Sequence, residues 1–136
     1  MHHLLVHRGA LQDLDELRAG GTQAAATIVA LLQEVRTDPR IQELLTVDHF
    51  GEHATESFHV RRWVEQQRKG RNLWRIKIWD LERLGLTYRV VYALDPRFRR
   101  YYVLGVVHRD FDYDENDDRT KRMLAAYDSL GIPTYA

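Results

Sequence analysis

Arg75 and Lys77 stand two residues apart in the stretch LWRIKIWD (residues 73–80), so an extended chain projects both from one side. Arg89 follows within LTYRVVYAL (residues 86–94), and Arg109 comes directly after FRRYYVLGVVH (residues 98–108). Cations fixed beside one another on a sheet make an anion site, and phosphate is the anion such groups recognise best. Aromatic residues interleave with them: Trp74, Trp79, Tyr88, Tyr92, Tyr101, Tyr102, Phe111 and Tyr113. Rings exposed among cations suit unpaired bases, which stack on them. The same pattern also describes a solvated outer sheet face with core aromatics behind it. Single residues have their own structural alternatives. Arg89 could pair with Asp110 or Asp112, Tyr113 could pack under the last helix, and His108 could be a half-buried polar residue at a strand end.

These cations need strands to hold them. Leu73–Asp80 alternates, with Trp74, Ile76 and Ile78 on one face and Arg75, Lys77 and Trp79 on the other. Leu86–Leu94 and Phe98–His108 are rich in Val and Tyr and read as two further strands. Turns at Leu84-Gly85 and Asp95-Pro96 connect them, so the three strands form an antiparallel meander. Upstream, His3–His7 reads as an opening strand. Leu11, Leu14 and Leu17 at spacing three make Ala10–Arg18 helical, and Gly20-Gly21 stops that helix. Thr22 is placed to cap a second helix running through Arg36, with Ile28, Leu31, Leu32 and Val35 as its apolar stripe. Asp117 or Asp118 caps a last helix with Met123, Leu124, Tyr127 and Leu130 on its apolar side. The fold class expected is α+β: an N-terminal strand and helical hairpin packed on a twisted antiparallel sheet, with a C-terminal helix. Residues 1–136 make one domain, and residues 43–72 are its least readable part.

Two other clusters hold residue types that could carry chemistry. Asp110, Asp112, Asp114, Glu115, Asp117 and Asp118 begin like a calcium loop, but Glu115 replaces the required glycine and Lys121 the required bidentate glutamate. The run reads instead as a helix cap, or as a shield over the cations that a partner displaces. Asp48, His49, His53 and His59 include two histidines at helical zinc spacing, but Gly51 between them weakens such a helix, so no metal is assigned.

Composition narrows the classes. Hydrophobic residues make up 44% of the chain and charged residues 29%, which describes a globular chain. The absence of cysteine excludes disulfides, thiolate zinc sites and a Cys nucleophile. The apolar run Ala24–Leu32 is too short to span a bilayer, and no signal peptide is visible, so a cytoplasmic protein is expected. The net charge is zero, but it is unevenly spread: residues 61–109 hold 13 basic and 4 acidic side chains between two acidic flanks.

Leu73–Ile78 (LWRIKI), then Tyr88–Tyr92 (YRVVY), then Val106–Arg109 (VVHR) followed by Tyr113 resemble the RelE/ParE superfamily of toxin–antitoxin toxins. The order of elements matches too. The resemblance covers roughly residues 3–36 and 73–125, with residues 43–72 as an insertion on which it is silent. It implies a toxin of the RelE-like branch: a ribosome-dependent, metal-free endoribonuclease that cuts messenger RNA and needs no cofactor. It also implies a cognate antitoxin, with which the toxin forms a hetero-oligomer. Matched position by position, the implied catalytic set is Lys77, Arg89, His108, Arg109 and Tyr113, with Arg75 and Trp79 binding RNA. Lys77 would be the base if crowding by Arg75 and Arg89 lowers its pKa. Arg89 would stabilise the transition state, Arg109 or His108 would serve the leaving oxygen, and Tyr113 would stack on a base. The alternatives within the superfamily are a ParE-like inhibitor of DNA gyrase and a non-catalytic module that binds RNA or protein.

Overall fold

Alternating apolar residues from four consecutive strands build most of the sheet in the computed structural model, which describes residues 2–109 and 113–133. These strands are β2 (Phe58–Arg62), β3 (Leu73–Ile78), β4 (Tyr88–Asp95) and β5 (Arg100–His108), each antiparallel to the next. The opening strand β1 (His3–Val6) pairs parallel with β5, giving the order β1-β5-β4-β3-β2. The sheet is therefore mixed rather than wholly antiparallel. A parallel neighbour needs a long connection, and here it is residues 7–99, which begin with the helices α1 (Arg8–Ala19) and α2 (Ala24–Thr37) and include β2, β3 and β4.

The sequence signals hold for most elements and shift at three. Helix α2 begins after Gln23, which makes no side-chain cap, so Thr22 is not the cap. The third strand ends at Ile78, and Trp79 opens a short helix, α5 (Trp79–Arg83). The poorly readable stretch contains β2 and α4 (Val64–Arg68), and α3 (Pro39–Leu44) runs into its start. Asp38 ends α2 and also caps α3 by accepting from Arg40 N. Helix α3 is pinned by buried tyrosines: Tyr92 donates to Leu45 O and Tyr101 to Gln42 O, both at 2.5 Å. Burial pushes the Tyr101 hydroxyl up to about 12, so it stays a donor at ordinary pH.

One sheet face carries Val60, Trp74, Ile76, Val90 and Tyr101 against Ala10, Leu14, Ile28 and Leu32 of α1 and α2. Burying each large side chain contributes about 1.5–3 kcal/mol. Trp74, Tyr92 and Tyr101 belong to this core and are at most 2% exposed, so they are not stacking platforms for bases. On the other face, α6 (Asp118–Ser129) lays Met123, Leu124 and Tyr127 over Leu73, Val91, Ala93, Leu104 and Val107. Asp117 caps α6 through Arg119 N and Thr120 N. A register shift at Val91/Tyr92 resets the alternation after Leu104, so that Val107 rather than Val106 follows Leu104 onto this face. Next to it, a Cβ on Gly105 would stand 2.6 Å from Met123 Sδ, so glycine there lets the helix settle onto the strand. Among the described residues, no helix is long and apolar enough to cross a membrane.

The two layers meet at the edge of β5 beyond the end of β1. Asp13 of α1, 3% exposed, accepts from Val106 N at 2.9 Å. It also accepts two bonds from Arg122 of α6, at 2.7 and 3.1 Å. Replacing Asp13 by Ala strands a ladder N–H and a guanidinium together. Urea unfolding of Asp13→Ala should show a loss of about 3 kcal/mol; a loss below about 1 kcal/mol would mean that this junction matters little.

Candidate functional site

The corner of the sheet that α6 leaves open carries the cations. Register explains why they converge. His59, Lys77 and Arg89 are paired across β2, β3 and β4, and Arg61 and Arg75 are paired in the row beside them. Residues two apart share a face, so all five stand on the same surface. Arg109, just after β5, donates its backbone N–H to Thr87 O at 2.8 Å and completes the ring. The result is a pocket of about 170 Å³ lined by His59, Arg61, Arg75, Lys77, Arg89 and Arg109, with Ile76.

Each cation is held by its surroundings. Arg89 donates to Glu82 of α5 at 2.5 Å, and both side chains are 16% exposed. Glu82 therefore takes the partnership that Asp110 or Asp112 was considered for; those two residues, with Phe111, lie outside the described ones. Arg61 lies 3.6 Å from Asp48. The Lys77 ammonium sits 4.5 Å from the centre of the Trp79 ring, and the Arg75 guanidinium 5.1 Å from that of Tyr113. Trp79 in turn donates Nε1–H to Gly51 O at 2.8 Å. Gly51 has φ of 73°, and a Cβ there would lie 1.9 Å from Phe58 O, so only glycine allows this loop to lie against β2. Tyr113 has φ of 60°, a left-handed conformation that costs an aromatic residue about 1–2 kcal/mol and is met here by its packing on Trp63 and Arg75.

Burial lowers the Lys77 pKa first, followed by the charge of Arg89, with Arg61 and Arg75 adding and Glu82 opposing. The His59 imidazole is lowered by burial, then by Lys77 and Arg61, against Glu52. It is 7% exposed, and neither ring nitrogen has a hydrogen-bond partner. Its ring lies nearly parallel to Trp79, with an angle of 9° and centroids 5.9 Å apart.

The structure therefore brings together Arg75, Lys77, Arg89 and Arg109, with Trp79 and Tyr113 as supports under the cations. His108 is placed elsewhere. It is paired with Tyr88, which points to the opposite face from Arg89; their rings meet edge-on at 5.6 Å, and His108 Nε2 is 3.1 Å from Thr87 Oγ1. Arg61 is a site residue that the sequence reading does not single out, and His59 enters it only in the cluster to which no metal is assigned. The signal was there: Phe58-His59-Val60-Arg61 alternates apolar and basic residues as Ile76-Lys77-Ile78 does. Of the acidic run, Asp117 caps α6 and Glu115 bonds Lys69 and, at 2.9 Å, Gln66 of α4. Asp48 accepts from Arg62 N at 3.0 Å, and no metal-holding group of His, Asp or Glu occurs among the described residues.

Fixed cations on a rigid ladder can bind a phosphodiester and stabilise charge that develops on it, with little reorganisation during reaction. No family model matches this chain, and no curated protein or solved structure matches it.

The His59 shift has a consequence for stability. Its pKa is lowered in the folded state from 6.5, so the unfolded chain binds the proton more readily. His59 then contributes stability that is present above pH 6.5 and lost as pH falls through the folded value. His2 and His7 shift the same way. Melting temperatures taken below pH 6.5 should fall for the wild type and fall less for His59→Phe. Equal slopes for the two proteins would remove this assignment.

Proposed function

We propose that this chain is a RelE-like toxin that cuts messenger RNA on the ribosome by metal-free transesterification. The observation that carries the reading is the pocket itself: Arg61, Arg75, Lys77, Arg89 and Arg109 share one concavity, and among the described residues Glu82 pairs with Arg89 and Asp48 with Arg61. Like charges crowded together repel, and a bound polyanion relieves that repulsion. In the reaction, the ribose 2′-hydroxyl attacks the adjacent phosphorus and leaves a cyclic phosphate and a 5′-hydroxyl. Arg75 holds the phosphate, and Arg89, oriented by Glu82, meets the charge that grows on the non-bridging oxygens. Arg109 lines the pocket and serves the leaving oxygen by hydrogen bonding, since a guanidinium does not release its proton. His108 has no such access from the opposite face. The expected inhibitor is an antitoxin that lays an acidic segment over the cations.

A second reading, RNA binding without cleavage, is favoured by the Arg89–Glu82 pair, which engages the group given the stabilising role. One experiment separates the two. Purified protein is incubated with mRNA-programmed ribosomes, and RNA 5′-ends are mapped. The cleavage reading expects discrete cuts with 5′-hydroxyl ends, reduced about 100-fold or more in Arg89→Ala and Lys77→Ala. Ribosome binding with intact RNA supports the second reading. Growth arrest on induced expression with intact mRNA and damaged DNA points to gyrase instead.

A further inference from the structure

The strand added by the insertion, β2, places an imidazole in the pocket that the resemblance does not include. We propose that His59, rather than Lys77, accepts the 2′-hydroxyl proton; this rests on the reading of the pocket as an RNA-cleaving site. Structural histidines, buried as His59 is, settle at least one nitrogen on a partner, because an unmade bond in the interior is costly. His59 has none on either nitrogen, and Arg61 Nε, two residues along the same strand, is buried without a hydrogen bond as well, its ion pair with Asp48 Oδ1 standing at 3.6 Å. Both residues line the same pocket. A ribose hydroxyl next to a phosphodiester offers the donor and the acceptor that these atoms lack.

The surroundings keep the imidazole ready to accept. It faces Lys77 from β3, Arg61 from its own strand, and Glu52 and His49 from the loop that lies along β2. Arg89 lies across the pocket, and Trp79 of α5 holds the ring by stacking. The cations and burial favour the neutral form and outweigh Glu52. A lysine must fall by roughly 3 units to be neutral at pH 7, whereas a histidine needs no fall at all.

The step balances with the two residues as a pair. A His59 ring nitrogen takes the 2′-hydroxyl proton. The freed electron pair of the 2′-oxygen forms the bond to phosphorus. The bond from phosphorus to the 5′-oxygen breaks, and that oxygen keeps the bonding pair and takes a proton from the Lys77 ammonium. The lowered Lys77 pKa makes its ammonium a better acid. Imidazolium and amine, neighbours across the β2–β3 ladder, then exchange the proton and return to their starting forms.

The test measures single-turnover cutting of mRNA on ribosomes from about pH 5.5 to about pH 8. The wild-type rate should rise with pH through an inflection below 6.5 and then level. His59→Phe keeps an aromatic ring against Trp79; it should fold, as read by circular dichroism, cut about 100-fold more slowly and lose the acidic limb. His59→Ala opens a space, and added free imidazole should restore part of its activity but none to Arg89→Ala. Folded His59→Phe cutting at the wild-type rate with the wild-type pH profile, while Arg89→Ala is inactive, overturns the role of His59 and leaves the RNA-cleaving reading standing. A wild type that cuts nothing on ribosomes removes both.

Discussion

Asp13 is the point at which the molecule is tied together. It sits where β1 has ended and the outer edge of β5 would otherwise present an unpaired N–H. One carboxylate closes that edge, fixes α1 against it, and receives Arg122 from α6 on the other layer. Both helical layers are thus referenced to the same strand. Gly9 belongs to the same joint, since a Cβ there would stand 2.8 Å from Arg122 Nε. The pocket depends on this indirectly. Helix α6 must stay over Leu104 and Val107 for the remaining corner of that face to stay open.

That face is divided between two uses. Apolar side chains under α6 give stability, and cations beyond it give affinity for phosphate. The second use works against folding, because the charges repel and Lys77 and His59 are partly stripped of water. The ladder withstands this because its cations on β3 and β4 are braced: Arg89 by Glu82, Lys77 by Trp79, Arg75 by Tyr113. The sources of these braces differ. Two come from α5, one from the segment before α6, and Trp79 is itself held by the loop at Gly51. A rigid sheet with independent props suits a site that must meet a flexible substrate in one geometry.

The parts legible in the sequence were those with a clean period. Leu73–Ile78 and Tyr88–Leu94 announced their strands and the common side of Arg75 and Lys77. The helical stripes of α2 and α6 were equally plain. Alternation does not say which face meets solvent, so Trp74, Tyr92 and Tyr101 were weighed as base-stacking rings when they are core. Nor does it count across a bulge: the shift at Val91/Tyr92 resets the phase of β5, so the side taken by His108 was not readable from Arg100 onward. Residues 43–72 resisted for another reason. Helix α4 is only five residues long, and the stretch is anchored near its start by Tyr92 of a distant strand, which donates to Leu45 O. His59 and Arg61 carry a short alternation that means little until β3 lies beside it.

Glu115 leads in another direction. Through Lys69 and Gln66 it ties the segment that carries Tyr113 to α4, by contacts at the surface. Asp13 and Arg122 lie mostly out of water. Dissolved ions weaken the first kind of contact over a Debye length of about 8 Å and scarcely touch the second. Ionic strength therefore acts selectively on this molecule. It leaves the junction of the layers intact while loosening the rim on which Arg75 rests, and it weakens the hold on any phosphate at the same moment. The salt content of the surroundings becomes a control on the pocket that involves no partner and no change in the fold.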